Sequence, residues 1–187
     1  KMASTQPHLS QPSLQDPAPM NAELIEAIDL PFAGCRPFDK SNTGMQKAHF
    51  VSGTHQPERL LIRYWVRESD QHIVGRVGFG RLAQGPPGFV HGGCLSAVLD
   101  EVMGIAGWIG AYPVLAAELN VQFRRSVPLH TCMEFHGWIE EVNGRKIHIR
   151  AVLVDETGDR YVDAKGLFMV LPESRIEEFK KRFLEAD

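Results

Sequence analysis

The stretch GPPGFVHGGCLSAVLDEVMGIAGW, residues 85–108, decides how the chain is read. It opens with Gly85, Pro86, Pro87 and Gly88, reaches Gly92 and Gly93, and then turns apolar. Leu95, Val98, Leu99, Val102, Met103 and Ile105 make residues 93–108 apolar nearly all round, which predicts a buried helix. Two carboxylates, Asp100 and Glu101, stand in its middle, where Asp is a poor helix former and an unpartnered charge is costly.

Outward from the helix the pattern changes. LLIRYWV (60–66) and HIVGRVGF (72–79) precede it as strands rich in aromatic and β-branched residues. VLAAELNVQFRR (114–125) follows with period two. Leu115, Ala117, Leu119, Val121 and Phe123 are expected on one side, and Glu118, Asn120, Gln122 and Arg124 on the other. TCMEFHGWIEEV (131–142) and KIHIRAVLV (146–154) flank Asn143-Gly144, a hairpin signal. RYVDAKGLFMVL (160–171) is the last strand, stopped by Pro172. The expected class is α+β, a curved antiparallel sheet wrapped around one long central helix.

Four segments follow from this reading. Residues 1–20 form a Pro-, Ser- and Gln-rich disordered tail, and 21–57 hold a short helix (22–30) and an irregular stretch. Residues 58–172 are the main domain, and 173–187 an amphipathic helix with Ile176, Phe179 and Phe183 on one side. A net charge of −3 gives no basis for nucleic-acid binding. No apolar run approaches the roughly 18 residues of a membrane span, and the first residues match neither a signal nor a transit peptide. Cys35, Cys94 and Cys132 are too far apart in sequence for a zinc cage, and the simplest expectation is a reducing, cytoplasmic compartment. No metal or cofactor motif is found.

The buried acid needs an explanation. Asp100 shares a helical face with Ser96, Ala97, Met103 and Gly104, mostly small residues that let a ligand or a second chain come close. Asp100 could face a backbone N–H of a twin chain for purely structural reasons, and Glu101 could meet solvent or an arginine. The preceding loop adds a chemical reading. Gly92 and Gly93 place backbone N–H groups at the helix start, where they and the dipole favour negative charge, an oxyanion site. His91 either orients this loop or caps the turn. Asp100 lies roughly 10 Å down the axis from Gly93 at ~1.5 Å per residue, whereas an acid and an oxyanion donor serving one carbonyl both need to lie within about 3 Å of it. Two antiparallel copies of the helix satisfy both, which predicts a homodimer with sites at the interface.

GPPGFVHGG with an Asp nine residues after the His resembles the hotdog-fold acyl-CoA thioesterases, the branch of the phenylacetate-pathway thioesterase and the thioesterase superfamily members. The likeness continues through ELNVQFRRSVPL, VNGRK and AKGLFMVLP, over roughly residues 58–172. It implies a five- or six-stranded sheet, dimers that often pair into tetramers, and hydrolysis of an acyl-CoA to free acid and CoA without a cofactor, a reaction of fatty acid metabolism. Carried over, Asp100 is the catalytic carboxylate, as nucleophile or general base. Gly92 or Gly93 supplies the N–H that polarises the carbonyl, and His91 belongs to the same loop. Relatives often carry Ser or Thr where Ala116 stands, and an Asn or Gln before H-G-G; Gln84 is near that place but off the usual offset. Glu101 could hold water or be structural. Arg124 and Arg125 could meet CoA phosphates or be solvated charges, with Arg145 and Lys146 weaker candidates. Tyr64, Trp65, Trp108 and Trp138 are expected in the core, and Met103, Ile105 and Trp108 to set acyl-pocket depth. The alternatives are a non-catalytic acyl-CoA-binding module and a 3-hydroxyacyl thioester dehydratase; the latter needs a helix His that is missing.

Overall fold

The computed structural model describes residues 20–38, 50–53 and 57–178. Seven strands form one antiparallel sheet: β1 (Cys35–Pro37), β2 (Leu60–Arg67), β3 (Ile73–Phe79), β4 (Val114–Phe123), β5 (Cys132–Asn143), β6 (Lys146–Val154) and β7 (Arg160–Val170). Their spatial order is β1-β2-β3-β5-β6-β7-β4. The helices α1 (Ala22–Asp29) and α2 (Gly92–Ile109) pack against it.

α2 lies in the curve of the sheet, packed on β5, β6, β4 and β7. Val98, Leu99, Val102, Met103 and Ile105 are fully buried there, each worth about 1.5–3 kcal/mol of transfer free energy. Gly137 on β5 lets Val102 in, since a Cβ at that position would come within 2.7 Å of the valine side chain. At 18 residues α2 has the length and apolarity of a membrane-crossing helix, but one side is committed to this core. From β6, Ile147, Ile149, Ala151 and Leu153 all point inward, as the alternation predicts.

Four expectations change. The sheet has seven strands rather than five or six, because the stretch read as irregular contributes β1, which pairs with β2 at Cys35–Arg67. Met20, assigned to the tail, is 4% exposed and packs with Leu24, Ile28 and Leu61 on the sheet face opposite α2. There α1 is capped by Asn21, whose side chain accepts from Leu24 N at 2.9 Å, and is tied to β2 by Asp29–Arg63 at 2.8 Å. So α1 and β1 pack directly on the main sheet. In β4 a bulge falls between Ala116 and Glu118. It places Leu115 on the face opposite Leu119, Val121 and Phe123, and turns Ala116 to the α2 side, across from buried Phe168. Finally, Trp108 is 38% exposed and Trp138 lies on the outer face, stacked on His72, while Tyr64 and Trp65 are buried as expected. Residues 173–178 are helical, and the remainder of the predicted terminal helix, with Phe179 and Phe183, lies outside the described residues, as do residues 1–19.

Candidate active site

The Gly-Pro-Pro-Gly loop is fastened before α2 starts. Gly88 turns it with φ +81, a conformation only glycine adopts cheaply. Val90 N donates to Val127 O at 2.9 Å, His91 N to Ala83 O at 2.8 Å and Leu129 N to Gly88 O at 3.0 Å. Gln84 belongs to this scaffold: its side-chain oxygen accepts from Gly88 N at 3.2 Å. The structure thus turns Gln84 to the loop.

His91 caps α2. Its Nδ1 accepts from Gly93 N at 2.9 Å, so the proton of the neutral ring sits on Nε2. The cap separates two glycines that the sequence leaves equivalent. The Gly93 N–H is used, and Cys94 N and Leu95 N both bond His91 O. No acceptor among the described residues takes the N–H of Gly92, which is the first residue of α2. This free donor stands at the positive end of an 18-residue helix, where negative charge is favoured.

Gly92 lines a cavity of about 260 Å³, walled also by Phe89, Leu95, Phe123 and Arg125 among others. A Cβ at position 92 would meet the Phe123 ring at 3.3 Å, so the aromatic closes over the glycine. Arg124 and Arg125 stand at its rim, already engaged: Arg124 with Asp163, and Arg125 with Asp159 at 2.6 Å and with the Tyr161 ring. Arg145 latches the hairpin to Val170 O, and Lys146 is exposed.

Two turns along α2, Asp100 is partly buried with no hydrogen bond or ion pair among the described residues. Burial, and secondarily the charge of Glu101, raise its pKa above the usual carboxylate range. Around it the helix surface stays open: Ser96, Ala97 and Gly104 are partly exposed, and nothing lies within 4 Å of where a Gly104 Cβ would stand. Met103, predicted on this face, and Ile105 are fully buried in the core instead; of the three residues named for pocket depth only Trp108 reaches the open side. Glu101 is turned the other way, and accepts from the buried hydroxyl of Tyr64 on β2. Sequence reasoning missed this bond, since 37 residues separate the partners and no spacing rule links them.

A second concavity, about 610 Å³, lies on the outer sheet face, lined by Trp138, His148 and a set of charged side chains. Its cations are matched by neighbours, as in Arg150–Glu140 at 2.6 Å and Arg160–Asp163 at 3.2 Å. It holds neither Asp100 nor the N-terminus of α2.

One helix in the curve of an antiparallel sheet, with a free glycine N–H at its start and an unpartnered acid further along, defines a hotdog domain. Residues 87–162 match the thioesterase superfamily family model. Among relatives, the chain is 35% identical over 94 residues to the acyl-coenzyme A thioesterase THEM4 of Bos taurus, covering 49% of this chain and 38% of that one. A solved thioesterase superfamily protein superposes with TM-score 0.56 at 30% identity, over 58% of this chain and 55% of that one. A Streptococcus mutans UA159 protein solved with acetyl CoA shares the fold, with TM-score 0.52 at 13% identity, over 55% of this chain and 82% of that one. The chain spans less than half the length of the bovine relative.

Proposed function

We propose that the chain is an acyl-CoA thioesterase whose site is completed by a second copy of itself. One observation carries the reading: Gly92 N–H is free while its neighbour is capped, and Asp100 is unpartnered roughly 12 Å along the same helix at ~1.5 Å per residue. Neither group has an internal reason to be left open, and one helix cannot bring both to one carbonyl. Antiparallel pairing of two α2 helices sets the Gly92 of each chain near the Asp100 of the other.

The sheet supports the same arrangement. β4 is an edge strand of ten residues with its outer side unpaired among the described residues. Leu119 and Phe123 are 37% and 53% exposed on its α2 side. A long edge with exposed apolar side chains is a site for strand pairing.

In this site the thioester carbonyl accepts from Gly92 N–H of one chain. The ionised Asp100 of the other either takes a proton from an attacking water or attacks the carbonyl itself. The tetrahedral oxyanion is held by the Gly92 N–H and the helix dipole. The C–S bond then breaks, and CoA leaves as a thiolate that takes up a proton. On the nucleophilic route water next cleaves the acyl–Asp100 anhydride. Ala116 faces this side without a hydroxyl, the observation that favours the second reading, an acyl-CoA binder without turnover.

The test is CoA release, read by thiol titration, over short, long and aromatic acyl-CoAs, with wild type beside Asp100→Asn. Hydrolysis by wild type and a loss of about a hundredfold or more in the variant is expected for a missing acid–base or nucleophilic group. Acyl-CoA binding with no release from any substrate would replace the enzyme by the binder.

A further inference from the structure

We propose that Glu101 is a positioning residue for Asp100, pinned by Tyr64 so that a fixed negative charge stands behind the catalytic carboxylate; this rests on the thioesterase reading above. The two acids are adjacent, so they leave the helix about 100° apart. Asp100 takes the open face, and Glu101 turns inward to β2. There Tyr64 is 5% exposed, its ring tilted against Phe135 at 5.5 Å and edge-on to Phe38 at 6.5 Å. Packed this way, its hydroxyl has little freedom, and it donates to Glu101 Oε1. Ser52, from the 50–53 segment, also acts on the same hydroxyl.

The tether is durable. Burial first, then the charge of Glu101, push the Tyr64 pKa well above its ordinary value, so the phenol stays a donor wherever the enzyme works. The groups that face Glu101 are Tyr64 from β2 and Asp100 from its own helix, with Ser52 behind the tyrosine. No cation among the described residues acts on Asp100, so the charge of Glu101 is uncompensated there. Like charges repel. Asp100 is therefore driven toward the open face and made a stronger base than a lone aspartate.

The experiment is the pH profile of kcat/KM for CoA release in wild type, Glu101→Gln, Glu101→Asp and Tyr64→Phe, with melting temperatures alongside. Gln can still accept from Tyr64, so the packing is retained while the charge is removed. The acid limb of Glu101→Gln is expected to move to lower pH while its plateau rate falls, because a less basic Asp100 ionises earlier and takes protons less well. Glu101→Asp, which keeps the charge, should restore a limb close to wild type. Tyr64→Phe should shift the limb in the same direction as Gln, by less, since Glu101 released from its donor is no longer held behind Asp100; this variant decides the matter if Glu101→Gln does not fold. A plateau that drops with the limb unmoved in these variants would overturn the proposal and leave Glu101 as a clasp between α2 and β2. Wild type that releases no CoA at all would instead sink the thioesterase reading, and this inference with it.

Discussion

The two faces of α2 obey different rules. The face toward the sheet carries Val98, Leu99, Val102, Met103 and Ile105, all fully buried, with no polar group among them. The other face carries Gly92, Ser96, Ala97, Asp100, Gly104 and Trp108, all at least partly exposed. The first face is what a folding chain needs. The second is what folding alone would select against: small residues that bury little, and an acid with no partner. Glu101 sits between the two and makes the contrast sharper, because it is the same kind of charge and the fold supplies it with a buried donor. The fold supplies one acid and leaves its neighbour bare, and the proposed role of Asp100 rests on that contrast.

The strongest way to break this comparison is to remove one open group without touching the packed face. Gly92 is the first residue of α2, where proline is tolerated, and His91 before it is already extended at ψ 133. Gly92→Pro deletes the N–H and leaves the helix to form, with the exposed Phe123 ring giving way to the new ring atoms. A loss of about 10²–10³ in kcat is expected, with melting temperature little changed. Equal losses in both would mean the N–H matters only to the fold.

Next in size is the reverse experiment. Leu99→Ala on the packed face should cost about 2–5 kcal/mol of stability by denaturant titration, with kcat per folded molecule nearly retained. A third change tests what covers the open side. Leu119→Lys on the β4 edge should raise the dimer dissociation constant in sedimentation, and activity should fall in step with the dimer fraction. Full activity in a monomer would contradict the shared site.

The smallest effect is the most diagnostic of the bare acid. Burial raises the Asp100 pKa in the folded chain, so its ionised form is disfavoured there. The native state therefore loses stability as pH rises from the ordinary aspartate value through the raised one, and the loss is complete above it. Asp100→Asn should therefore melt higher than wild type near neutral pH, with the gap closing in acid. A variant that loses both activity and stability would mean the carboxylate has a structural partner.

How much of this was legible in the sequence depends on the range of the interaction. α2, the strands after it and the alternation of β6 are local periodicities, and they read correctly. The glycine-rich loop and the acid within α2 were visible there too, because a charge inside an apolar helix is conspicuous in one dimension. What was not legible is set by distance or by small local departures. β1 is three residues ending in Pro37, too short for a periodic signal. The bulge at β4 adds one residue and flips Leu115, which strict alternation cannot register. Helical spacing put Met103 beside Asp100, but the sheet curves far enough to bury it. The choice between Gly92 and Gly93 hung on the rotamer of His91, and the Tyr64–Glu101 bond on how β2 meets α2.

The central claim is that one site takes Gly92 from one chain and Asp100 from another. The most direct measurement mixes Gly92→Pro and Asp100→Asn chains, separately tagged, and purifies the heterodimer. Such a dimer holds one damaged site twice over and one complete site, built from the Gly92 of the Asp100→Asn chain and the Asp100 of the Gly92→Pro chain. CoA release by the heterodimer at about half the wild-type rate, from two variants inactive alone, is the predicted result. A heterodimer that forms and folds but stays as inactive as its parents would contradict it, and would place both groups in separate roles within one chain.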